Sequence, residues 1–145
     1  MDNIKSKLRE INNQESSKRR LLDENFKKKE NHQIYIINFI KFCVKELNID
    51  KNFKVVLTFK RDDLISTAYY NVINNLIKVY VKDRALVDIF RSIAHELVHH
   101  KQNIEGRISN VAENGSDGSL IENEANAMAG VMIRKFGKLH PEIYY

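Results

Sequence analysis

His95-Glu96-Leu97-Val98-His99 lies in a run where Leu86, Ile89, Phe90, Ile93 and Leu97 recur at helical spacing, the pattern of an amphipathic helix. Asp83 is the expected N-cap, and the helix should run to about Gln102 or Asn103. Positions i and i+4 of a helix lie on one face, one turn apart. His95 and His99 can therefore aim two imidazoles at one point. Glu96, offset by one residue, is close enough to address a water bound there. Two nitrogen ligands beside a carboxylate are the equipment of a zinc-dependent hydrolase.

Such a site needs a third protein ligand and leaves a fourth position open. A second amphipathic helix is expected over residues 119–136, with apolar positions at 121, 125, 128, 129, 132, 133 and 136 and a stop at Gly137. Ala125, Ala129 and Gly130 are small enough to let two helices approach closely. Glu122 and Asn126 share one face at i, i+4, so Glu122 can bind the metal while Asn126 hydrogen-bonds a ligand histidine. Ser119-Leu120-Ile121-Glu122 also reads as a capping box, which gives Glu122 a purely structural alternative. His140 is the other imidazole that could complete the site. His100 lies about 100° around the helix from His99 and is assigned to the surface; Glu124 is assigned to solvent.

The H-E-L-V-H pentapeptide, followed by a helix carrying Glu122-Asn123-Glu124-Ala125-Asn126, resembles the gluzincin metallopeptidases, the thermolysin-like group. The resemblance covers roughly residues 53–137, and the short chain looks most like the minimal gluzincins and small metallopeptidase-like proteins of phages. It implies that Glu122 is the third ligand and Glu124 is not, because four residues after Glu124 stands Met128, which cannot hydrogen-bond an imidazole. An extended motif with a third histidine would need Gly at 102 and His at 105, where this chain has Gln102 and Glu105. His100-Lys101 depart from the apolar residues usual after the motif, implying a more exposed helix end. The resemblance further implies bound zinc, Glu96 as the general base of peptide hydrolysis, and a strand at 67–70 as the edge that takes up an extended peptide. Tyr144, Tyr145 or His140 would be the candidates for stabilising an oxyanion. The expected activity is that of a zinc peptidase acting on a peptide or protein substrate. The alternative is a catalytically silent, zinc-stabilised structural or interaction protein, for example a virion or particle component.

The rest of the chain supplies a scaffold. At 145 residues and 43% hydrophobic content it is expected to form one core. Residues 1–30 carry nine Lys/Arg against six Asp/Glu and read as a basic helical arm with a possible protein partner, ahead of a domain at 31–145. The net charge of +5 is read as a solvated basic surface rather than a nucleic-acid site. Cys43 stands alone, so no disulfide framework is expected. With neither an apolar leader nor a membrane span in the sequence, a cytoplasmic protein is expected, or one in host cytoplasm or a virion. A helix over residues 32–48 should bury Ile34, Ile37, Ile40, Val44 and Leu47, widened by Tyr35, Ile36, Phe39 and Phe42. A strand at 53–60 precedes a hairpin that pairs 67–70 with 76–81 across Asn74-Asn75. Residues 105–119 form a long loop bordering the cleft. The fold class is α+β: a small zincin-like domain with about three strands in a mixed sheet, one helix before them, two ligand-bearing helices after, and the arm.

Overall fold

The computed structural model describes residues 32–61, 66–108 and 119–145. The basic arm, the centre of the loop at 61–66 and most of the 105–119 loop lie outside them. The chain divides into compact units Met1–Ile36 and Ile37–Tyr145, and the account below concerns the second. The fold is α+β, with three α-helices and a three-stranded mixed sheet among the described residues. Among the described residues no helix is long and apolar enough to cross a membrane.

Residues 32–47 are helical (α1). The buried row is Phe39, Cys43 and Leu47, whereas Ile37, expected in the core, is 52% exposed. Apolar residues surround this helix, so periodicity alone does not fix which row turns inward. Asn48 closes α1 at φ 51, with Asn48 N–H on Lys45 O and Ile49 N–H on Val44 O, the paired bonds of a Schellman turn.

Three strands follow: β1 (Lys54–Thr58), β2 (Ala68–Asn71) and β3 (Leu76–Tyr80). β3 lies in the middle, parallel to β1 and antiparallel to β2. The β2–β3 hairpin turns where the sequence indicates. Asn71 Oδ1 accepts from the Ile73 amide at 2.9 Å, and Asn75 takes the left-handed conformation at φ 55, which asparagine tolerates better than most residues. This order leaves β2 as a sheet edge, with the alternate residues Ile77 and Val79 of β3 fully buried.

Helix α2 (Leu86–Ile104) packs against β2, β3 and helix α3 (Leu120–Leu139). Its N-cap is Ala85 rather than Asp83, which instead occupies a left-handed turn at φ 55. The lead-in is held by Arg84, whose guanidinium donates to Tyr80 O at 2.7 Å and to Ser92 Oγ at 2.8 Å. Gly106, at φ 72, ends α2 in a second Schellman turn through Arg107 N–H on Gln102 O at 2.9 Å.

α3 buries Ile121, Ala125, Ala129, Met132, Ile133 and Phe136. It does not stop at Gly137, which lies inside the helix with the Tyr144 ring against it: a Cβ there would come within 2.7 Å of Tyr144 Cε2. Gly130, expected at a close approach, faces open space. Pro141 bars α-helix beyond His140 yet opens a short 3-10 helix, Pro141–Tyr144. The three long helices meet in an aromatic cluster: the Phe39 and Phe90 rings stack at 4.3 Å, and Phe136 stands edge-on to both at 5.2 and 5.5 Å.

Candidate metal centre

α2 and α3 bring His95, His99 and Glu122 together. His95 Nε2 lies 3.0 Å from Glu122 Oε2, His99 Nε2 lies 2.9 Å from Glu122 Oε1, and the two Nε2 atoms are 3.0 Å apart. The imidazoles stand nearly perpendicular, 4.6 Å between centroids and 86° between planes. This follows from local geometry: the i, i+4 spacing stacks the histidines on α2, and Ala125 and Ala129, both essentially buried, let α3 come near. Ser119 caps α3 by accepting the Glu122 amide at 3.2 Å. Half of the anticipated capping box is thus present, while the Glu122 carboxylate is turned onto the histidines.

The partners of the rings decide which atoms remain as donors. His99 Nδ1 is 2.8 Å from Gln102 Oε1, an acceptor, so Nδ1 carries the proton and Nε2 is a bare lone pair. Asn126 lies close enough to His95 to favour its charged form. Burial, and then the His99 ring, hold His95 below its ordinary pKa against the pull of Glu122 and Asn126, which favours the neutral ring. Two imidazole nitrogens and a carboxylate converge within 4.8 Å of one another. Donor atoms this close repel unless a proton or a metal cation lies among them, and this group could hold a metal ion.

Glu96 sits beside the cluster and is not part of it. Its side chain is 7% exposed. Burial, with the Glu122 carboxylate adding to it, pushes its pKa up to about 8. It lines a cleft of about 370 Å³ together with His95, His99, Glu122, and Ala68 and Tyr70 of the edge strand β2. A smaller recess of about 210 Å³ continues past His95 and Glu96 to Thr67, Arg91 and Ser92. The two share Ser66, Ala68, His95 and Glu96.

Other expectations are corrected. His100 is not on the surface but fully buried. Its Nδ1 is 2.8 Å from Tyr70 Oη and its Nε2 3.0 Å from Asp50 Oδ1, beneath an edge-on contact with Phe53. Gln102 is also fully buried, whereas Ile104, the last residue of α2, is 49% exposed, so the helix end is covered on one side and open at its tip. Glu124 does not simply face solvent. It accepts from both guanidinium nitrogens of Arg107 at 2.8 and 2.9 Å and from Gln102 Nε2 at 3.2 Å, and the Arg107 bonds hold its carboxyl below the usual range. His140 is not in the donor group; its ring lies 4.6 Å from that of Phe136 and its Nδ1 3.4 Å from Glu142. Tyr144 packs on Gly137, Tyr145 is fully exposed, and neither lines the cleft. Tyr70 does, and its hydroxyl also accepts from Asn103 Nδ2 at 3.0 Å. Burial raises its pKa, so it remains a neutral phenol. Of these unanticipated residues only Gln102 carried a readable signal, its position one turn beyond His99.

No protein-family model, curated protein or solved structure matches the chain.

Proposed function

We propose that this protein is a zinc-dependent peptidase of gluzincin type, with His95, His99 and Glu122 as metal ligands and Glu96 as general base. The observation that carries the reading is the convergence of two imidazoles and a carboxylate in a cleft lined also by a second, buried acid, Glu96, and by the edge strand β2. Two histidines and one glutamate are a zinc donor set that leaves a position free for chemistry. Donors around a tetrahedral zinc with bonds of about 2.0–2.1 Å lie about 3.3 Å apart. The separations of 2.9–3.0 Å here need to open by only a few tenths of an ångström.

Bound there, zinc supplies Lewis acidity, making water nucleophilic near neutral pH and polarising a carbonyl. The remaining work falls to the chain. β2 has no further strand beside it among the described residues, and an extended peptide can lie along this edge as a further strand. Glu96, which a cation beside it would keep ionised, takes the proton of the attacking water and passes it to the nitrogen of the departing amine as the peptide C–N bond breaks. Its burial strengthens each polar contact it makes. Asn126 keeps the His95 ring in place.

The test is zinc content and hydrolysis of casein and of a mixed peptide library, with and without chelator, for the wild type and Glu96→Gln. A peptidase predicts one zinc per chain in both proteins and activity about a hundredfold or more lower in the variant. Zinc in both with activity in neither assigns the protein to the silent, zinc-stabilised alternative. Full activity in Glu96→Gln would refute the mechanism.

A further inference from the structure

Gln102 is, with His100, one of two fully buried polar side chains among the described residues to which this mechanism gives no work. Its amide is engaged at both ends. Oε1 accepts from His99 Nδ1 at 2.8 Å. Nε2 donates to the backbone carbonyl of Ile121 at 3.0 Å and to Glu124 Oε1 at 3.2 Å. These partners settle the orientation of the group. Turned over, its oxygen would face the Ile121 carbonyl and the Glu124 carboxylate, three acceptors with no proton among them. With Oε1 facing His99, that ring must carry its proton on Nδ1, which leaves Nε2 bare at 3.0 Å from His95 Nε2 and 2.9 Å from Glu122 Oε1.

The other end of the same amide reaches α3. Ile121, whose carbonyl it holds, directly precedes Glu122. Glu124, its second acceptor, is anchored in turn by the bidentate Arg107 bond, and the Schellman turn at Gly106 puts Arg107 where it can make it. One buried side chain therefore touches the second imidazole and the turn that bears the carboxylate, tying the two ligand helices together beside the donors.

We propose that Gln102 is the positioning residue of the metal centre: it sets the tautomer of His99 and holds the Glu122-bearing turn of α3 against α2, so that the three donors are assembled before the ion arrives. This rests on the metal-binding part of the reading above and not on peptidase activity. Losing such an outer partner weakens metal binding by about tenfold to a hundredfold, because the ligand must then be ordered by the ion itself.

Two full-length variants test it. Gln102→Met keeps length and bulk but has no amide. Gln102→Glu keeps an acceptor toward His99 Nδ1 and replaces the donor toward Ile121 and Glu124 with an oxygen. The readouts are zinc affinity, by competition with a chromophoric chelator, and the visible absorption bands of the cobalt-loaded protein, which report donor geometry and are not moved by packing alone. Gln102→Met should bind zinc about tenfold to a hundredfold more weakly and shift the cobalt bands. Gln102→Glu should return the bands toward those of the wild type while its affinity stays low, since the ring is oriented but the tie to α3 is broken. Wild-type affinity and bands in Gln102→Met overturn the proposal alone. If Gln102→Met does not fold, wild-type affinity in Gln102→Glu does the same. A wild type that takes up neither zinc nor cobalt overturns the metal reading along with it.

Discussion

Glu96→Gln should make the metal-free protein more stable, and increasingly so as pH rises. Glu96 is 7% exposed, and burial, then the neighbouring Glu122 charge, raises its pKa from 4.5 to about 8. The unfolded chain holds the group at its ordinary value. Between pH 4.5 and about 8 the folded protein therefore keeps a proton that the unfolded chain has released. Where the folded state binds more protons, stability falls with rising pH. At about 1.36 kcal/mol per pH unit, the cost is roughly 3 kcal/mol at pH 7 and levels off near roughly 5 kcal/mol above pH 8. Glutamine has nearly the same shape and never ionises. Thermal melts of both proteins in chelator, from pH 5 to pH 9, should show the variant's advantage in Tm growing by roughly 10 °C between pH 5 and pH 8, at about 2–4 °C per kcal/mol. Comparing the two at each pH cancels the titrations they share, that of His95 among them. Loading the metal should shrink the difference, because a cation beside the carboxylate favours its ionised form. Parallel Tm-against-pH curves for the two metal-free proteins would refute the claim that Glu96 is held as a desolvated acid.

Glu122→Gln replaces a charged donor with a neutral amide, so zinc affinity and thermal stability of the zinc-loaded protein should both fall; affinity equal to wild type in equilibrium dialysis would leave Glu122 as only a helix-start residue. Asn126→Ala removes a polar neighbour of His95 and should weaken zinc binding by about tenfold to a hundredfold in a chelator competition, while leaving the fold intact by circular dichroism. His100→Leu strips the ring partner from Tyr70 in a fully buried position and should cost about 1–3 kcal/mol in urea unfolding; an unchanged midpoint would mean that the Tyr70–His100–Asp50 contacts contribute nothing.

The donors were legible because two helix-local spacings determine most of their geometry. His95 and His99 are fixed relative to each other by one turn of α2, and Glu122 and Asn126 by one turn of α3. Only one tertiary fact remains, that these two faces meet, and Ala125 and Ala129 indicate it by being small where the helices touch. The hairpin was legible for a similar reason, since Asn75 can take the left-handed turn conformation that the chain requires there. What the sequence withheld is how many sides of a helix are covered. Amphipathic reasoning grants a helix one buried face, and so sends His100 to solvent. α2 has α3, β2 and β3 packed around it, and Glu96, Leu97, Val98, His99 and His100 are buried in unbroken succession. The polar members of that run survive burial because each finds a partner or changes its protonation: His99 on Gln102, His100 on Asp50 and Tyr70, and Glu96 by holding its proton. Asp50 stands 50 residues from His100 in the chain and Tyr70 stands 30, so no helical spacing could have announced either partner. The same logic divides Gln102 in two. Its bond to His99 spans three residues and lies within reach of a sequence argument. Its bond to Ile121 spans nineteen and exists only once α2 and α3 have crossed. The residue proposed to assemble the site is thus half local and half tertiary, which is what a link between two ligand helices requires.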